Sequence, residues 1–215
     1  MNKNTWTLIG AVVIAGISSA TWAGAINQGD KEALQAYKKM EQARNQGNEP
    51  LSKLSSNVTL SDFSIQGAVL PEADKIRKYN DTNMQGLLSS TDEKLSFIME
   101  GDEVKGIVLA TDTKPIMAGG EKTGPELFTL YENMKNTLGE DVNITYFSYA
   151  GGFIFVATDR EGEESLWLDR RASTFLELPS HKQLKSEEVV EKIREGAESV
   201  VEEKTNELEM GSKSE

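Results

Sequence analysis

Two carboxylates close look-alike stretches of this chain. "GIVLATD" runs to Asp112 and "FIFVATD" runs to Asp159; at an offset of 47 residues they share Ile, Ala, Thr and Asp at four of seven positions. Brought together, Asp112 and Asp159 could hold a hard cation or divide the acid and base roles of a hydrolysis. A plainer reading needs no site. Buried strands are rich in β-branched residues, and Asp suits a strand exit because its carboxylate accepts turn N–H groups. An old duplication lies between the two, but one copy leads into a helical pattern and the other into a further strand. Asp112 and Asp159 are therefore the first pair to inspect in a chain with no assembled catalytic motif.

The remaining chemical signals are weaker. "DREGEE", Asp159 to Glu164, bunches four acids around Gly162. A calcium loop needs ligands at alternate positions over a longer segment with its glycine sixth, so this reads as a solvated hairpin turn. "AGGEKTG", Ala118 to Gly124, has the glycines, Lys and Thr of a phosphate loop but in the wrong order. His181 is the single histidine and lies in the polar stretch "LPSHKQLK". No histidine metal cluster can be built from it, and the chain has no G-x-S-x-G to supply a nucleophile. With no Cys, disulfides, thiol catalysis and Cys-based metal sites are excluded. No motif implies a metal or cofactor. Asn57, Asn80 and Asn143 each begin an N-x-T pattern, which matters only in a host that glycosylates.

Aromatics offer a binding surface rather than a reaction. Alternation in "VNITYFSY" sends Ile144, Tyr146 and Ser148 to one face and Thr145, Phe147 and Tyr149 to the other. One face is covered by a helix. If the other stays open, Tyr146, Tyr149, Phe153 and Trp167 are the candidates for an exposed patch that takes a peptide, a glycan or a second subunit. The alternative is a second core layer beneath further helices.

Several elements must position these residues. Residues 1–25 have one cation, Lys3, no acid, an apolar run from Trp6 to Ile17 and an Ala23-Gly24-Ala25 exit, the pattern of a cleaved signal peptide. Retained, Trp6 to Ile26 would be just long enough for a membrane anchor. Residues 26–50 read as a leader helix and linker, with Asp30 as N-cap and Gly47 past the helix end. Residues 51–179 form the expected body. Strand patterns occur in "LSDFSIQGAVL", "MQGLLSS", "KLSFIME", "VKGIVLAT", "VNITYFSY", "FIFVATD" and "SLWLDRR", and "STFLEL" reads as an edge strand. Between them Leu127, Leu130, Tyr131, Met134 and Leu138 make a helical stripe over 124–138, opened by Pro125 and closed by Gly139. Residues 180–215 read as a long acidic helix with a narrow stripe of Val189, Ile193, Ala197, Val200 and Leu208, then a disordered tail.

The expected fold is α+β. An antiparallel sheet of two meanders carries one principal covering helix (124–138), flanked by the N-terminal helix and the acidic C-terminal helix. Short strand connections disfavour parallel βαβ units. The whole chain carries −12; after loss of 1–25 and Lys3, 22 cations face 35 acids. Such a surface repels nucleic acid and anionic lipid. The expected function is a non-enzymatic accessory or binding protein, exported to the periplasm, cell surface or medium, using a sheet face for a protein or glycan. A carboxylate hydrolase is the alternative. A membrane-tethered oligomer is a second alternative if residues 6–26 are retained.

Overall fold

The structure, a computed structural model, describes residues 27–45 and 57–211. Among these residues it is an α+β fold with five helices and a mostly antiparallel nine-stranded sheet. In chain order these are α1 (Gln28–Asn45), β1 (Val58–Leu60), β2 (Ile65–Val69), α2 (Ala73–Arg77), β3 (Ser89–Glu100), β4 (Glu103–Ala110), β5 (Pro115–Gly119), α3 (Thr123–Leu138), β6 (Asn143–Tyr149), β7 (Gly152–Thr158), β8 (Glu164–Leu168), α4 (Arg170–Leu176), β9 (Leu184–Lys185) and α5 (Ser186–Gly211). The signal-like segment 1–25, the linker at 46–50 and the tail beyond 211 lie outside the described residues.

The sheet order is β5-β4-β3-β2-β6-β7-β8-β9, with β1 paired to the far half of β3. All neighbours run antiparallel except β2 and β6, which meet in parallel at the centre. Short connections concealed that pairing, because the link from β2 to β6 includes β3, β4, β5 and α3. A two-fold operation along the strands between β2 and β6 would exchange β3 with β7 and β4 with β8. The sequence echo instead matches β4 with β7, so it does not follow the symmetry of the sheet.

Alternating side chains fill both faces. On one, Leu127, Leu130 and Met134 of α3 pack against Leu95, Phe97, Ile107, Tyr146, Phe155 and Trp167. On the other, Val189, Val190, Ile193 and Ala197 of α5 cover Phe147, Ile154, Val156, Leu166 and Leu168, with α2 and α4 beside them. Ala33 and Tyr37 of α1 cover Val108 and Ala110 on the same side of β4. The core residues thus extend beyond 51–179 at both ends. The side chains of Val200 and Leu208 lie outside the described set.

Several local readings change. Asn27, not Asp30, caps α1: its Oδ1 accepts from the Asp30 N–H at 2.8 Å. Asp30 lies inside the helix, buried, with its carboxyl pushed up chiefly by that burial. "MQGLLSS" is a turn whose Met84 and Leu87 are core residues, and the strand begins only at Ser89. "STFLEL" contributes to α4, because Asp169 caps that helix by accepting the Ala172 N–H at 2.7 Å. Local capping overrides the β-branched and aromatic composition that suggested a strand.

Candidate ligand-binding cleft

The two ATD carboxylates are set far apart. Ala110 pairs with Lys94, Lys94 with Gln66, Gln66 with Thr145, and Thr145 with Val156. These residues share one level of the sheet, and β4 and β7 run in opposite directions. Asp112 therefore leaves above that level and Asp159 below it, about 16 Å apart along the strands alone. Each has a local task. Asp112 accepts from Lys94 Nζ at 2.7 Å and from Asn27 Nδ2 at 3.1 Å, fixing the start of α1 to the end of β4. The bond from Lys94 holds the Asp112 carboxyl below the ordinary range. Asp159 Oδ1 accepts the N–H groups of Glu161 and Glu163, closing the β7–β8 hairpin around Gly162 at φ 85°. Glu164 is also engaged: it accepts from Met84 N, Gln85 N and Ser186 Oγ, tying the 84–88 turn to the start of α5. Among the described residues no group of three or more His, Asp or Glu side chains could hold a metal ion.

Of the two readings of the aromatics, the second core layer holds for these residues. Tyr146, Phe153 and Trp167 are buried on the α3 side, and Tyr149 is half-buried on the other. Helices on both faces account for this burial. Burial and the hydrogen bond it donates to Glu93 Oε1 push the Tyr146 hydroxyl far above its usual range.

A different concavity lies beyond the first turn of α3. Two glycines, Gly124 and Gly106, let α3 and β5 close on β4. A Cβ at Gly124 would stand 2.6 Å from Gly106 Cα, and one at Gly106 would stand 2.4 Å from the Gly119 oxygen. One residue pair later, Glu126 Oε1 accepts the Arg170 N–H at 2.9 Å, at the start of α4. On a flat sheet β4 and β8 would be about 24 Å apart, five strand spacings. One helical turn touches β4 and the end of β8, so the sheet curls around α3.

The curl leaves a cleft of about 810 Å³ between β5 and α4. Ile107, Leu109 and Phe153 form its apolar floor; Met117 from β5 and Phe175 from α4 stand on its rim. Those rim residues are unusually open for their type, at 41% and 61% exposure. The β6–β7 turn, with Ala150 at φ 49° and Gly151 at φ 77°, makes another wall. A Cβ on Gly152 would lie 2.4 Å from Ala172 N, so a residue without a side chain lets α4 seat against that hairpin. Ser148, Thr123 and Thr174 supply hydroxyls.

Three titratable groups gather on the α4 side. His181 Nε2 lies 3.1 Å from Glu126 Oε1, and Asp169 is buried close to both helix starts. His181 is thus no free linker residue; its N–H also donates to the Leu168 carbonyl at 3.1 Å. Burial, helped by the Glu126 charge, pushes the Asp169 carboxyl up against its stabilising backbone bonds. A folded-state value above the ordinary 3.8 means that this group's contribution is complete below about pH 3.8 and is lost as pH rises through the folded value. Asp169→Asn keeps the cap and removes the buried charge. It should match or exceed the parent's stability at about pH 7 and flatten the profile down to about pH 4. Asp169→Ala should instead cost about 1–2 kcal/mol through the lost cap. Urea denaturation at both pH values checks the pair; a neutral Ala variant would remove the capping role.

No family model matches the chain, and neither the curated proteins nor the solved structures provide a match. The site therefore stands on its own geometry. Sequence reasoning missed it because its walls come from segments up to about sixty residues apart, read from Met117 and Phe175. Its local signals are the glycine-rich loop from Ala118, the candidate aromatic Phe153, and Arg170-Arg171, adjacent cations in an acidic chain.

Proposed function

We propose that this chain is an exported, non-enzymatic binding or accessory protein of the cell envelope or extracellular space, acting through the concave face of its sheet. The cleft of about 810 Å³ carries this reading, since its size and mixed lining suit a small-ligand site. In this reading the sheet consists of two meanders joined at β2 and β6, with α3 the principal cover of the concave face and α1 and α5 behind it. Export rests on the signal-like pattern of residues 1–25.

Binding is favoured over catalysis because the two carboxylates of the cleft already have structural work. Glu126 holds Arg170 N and His181, and Asp169 caps α4. The carboxylate-hydrolase alternative lacks its pair, with Asp112 and Asp159 at opposite ends of the sheet.

A filled cleft tests the proposal. The tagged parent and Ser148→Trp are mixed with envelope extract of the host, and retained molecules are identified by mass spectrometry. The parent should retain a molecule that the variant does not. Equal retention, or none by the parent over a salt series, would overturn the binding reading. Mass measurement of the exported protein should show loss of residues 1–25; an intact Met1 in the membrane fraction would defeat export by cleavage.

A further inference from the structure

We infer that the cleft takes a single-chain amphipathic anion, an apolar acyl chain ending in a carboxylate, bound as a free monomer. The inference rests on the binding reading above and adds the class of ligand. Its apolar half follows from the floor and rim. Ile107, Leu109 and Phe153 are buried, while Met117 of β5 and Phe175 of α4 line the same cleft and stay largely in solvent. An acyl chain between those rim residues would remove apolar surface that the fold itself leaves in water. Met adds adaptability, since its unbranched thioether side chain fits irregular partners.

The anionic half follows from charge. The chain carries −12, yet Arg170 and Arg171 stand side by side, exposed, at the α4 lip. Among the described residues neither guanidinium makes an ion pair with a carboxylate. Among the described residues the one side-chain bond of the two runs from Arg171 Nη1 to the Gly151 carbonyl at 3.0 Å, which leaves most of its five donors for a ligand. The acids nearest the lip are occupied: Glu126 by Arg170 N and His181, Asp169 by Ala172 N. A carboxylate at this lip would meet two forked donors of matching geometry. The net negative surface elsewhere opposes an anionic membrane, which favours a soluble monomer over a headgroup in a bilayer.

The test uses the full chain and three probes of similar apolar length: dodecanoate, dodecyltrimethylammonium and dodecanol, each below its micelle concentration. Calorimetry gives affinity, and amide chemical shifts of Gly119, Gly120 and Gly151 give the place. Dodecanoate should bind, shift those three amides, and lose about tenfold or more in affinity in Arg170→Gln/Arg171→Gln, where the alcohol should be unaffected. If the ammonium probe binds as tightly as dodecanoate at the same amides, the anionic class is overturned while the cleft remains a binding site. If no probe moves those amides, both the class and the cleft reading fall. Sedimentation with phosphatidylglycerol vesicles without dodecanoate binding would overturn the soluble-ligand assignment.

Discussion

Trp167→Ala should cost about 3–5 kcal/mol of folding free energy, the loss expected when a buried indole is deleted. Trp167 is 2% exposed, pairs across strands with Phe155 and belongs to the cluster under α3. Its removal strips dispersion contacts on every side and leaves a cavity that β7 and β8 cannot close without breaking their ladder. Phe175→Ala provides the contrast. Phe175 is 61% exposed, with one edge-on ring contact to Tyr149 at 5.6 Å. That change should stay within about 0.5 kcal/mol, as exposed substitutions do. Urea unfolding of the two variants decides which aromatic is core and which is free for a ligand. A loss below about 1 kcal/mol for Trp167→Ala would return that residue to the surface.

Gly124→Val should be nearly as damaging, at about 3 kcal/mol, through overpacking. Helix propensity works the other way, since replacing Gly in a helix gains roughly 0.5 kcal/mol. Sterics win because the atoms opposite are backbone: Gly106 Cα, C and O lie 2.6, 2.7 and 2.8 Å from an added Cβ. A side chain could rotate away, but strand β4 cannot move without shifting its pairing to β3 and β5. The helix start must lift, carrying Glu126 away from Arg170 and opening the cleft. Gly101 is the control. It has φ 60° and nothing within 4 Å of an added Cβ, so Gly101→Asn should be nearly neutral because Asn tolerates that conformation. Thermal unfolding checks both; a neutral Gly124→Val would contradict the close crossing of α3 and β4.

Elements with strong local chemistry were legible. The 3.6-residue recurrence of Leu127, Leu130 and Met134 is the buried face of α3, and Asp159 with Gly162 marks a real hairpin. The α+β class follows from the same signals. What the sequence hid was non-local. Nothing within β2 announces a parallel partner in β6, since that contact depends on how the intervening strands and helix fold back. β5 is illegible in the sequence because "PIMAG" lies at an edge where Pro115, Ile116 and Met117 are exposed and the one buried residue, Gly119, has no side chain, so no alternation marks it. The echo at Asp112 and Asp159 turned out to lie in strands of opposite direction. The cleft was hardest to read, because its shape comes from sheet curvature set by backbone contacts at Gly106, Gly124 and Gly152.

That curvature decides whether the cleft exists, and one distance tests it. The chain has no Cys, so Met117→Cys with Phe175→Cys takes two spin labels at known places. On a flat sheet, β5 and the strands carrying α4 would be five to six spacings apart, about 24–29 Å. Pulsed electron resonance should give a single narrow distribution well below about 24 Å, because both residues rim one cleft. A distribution centred near about 29 Å or beyond would flatten the sheet, open the cleft and remove the basis for binding there.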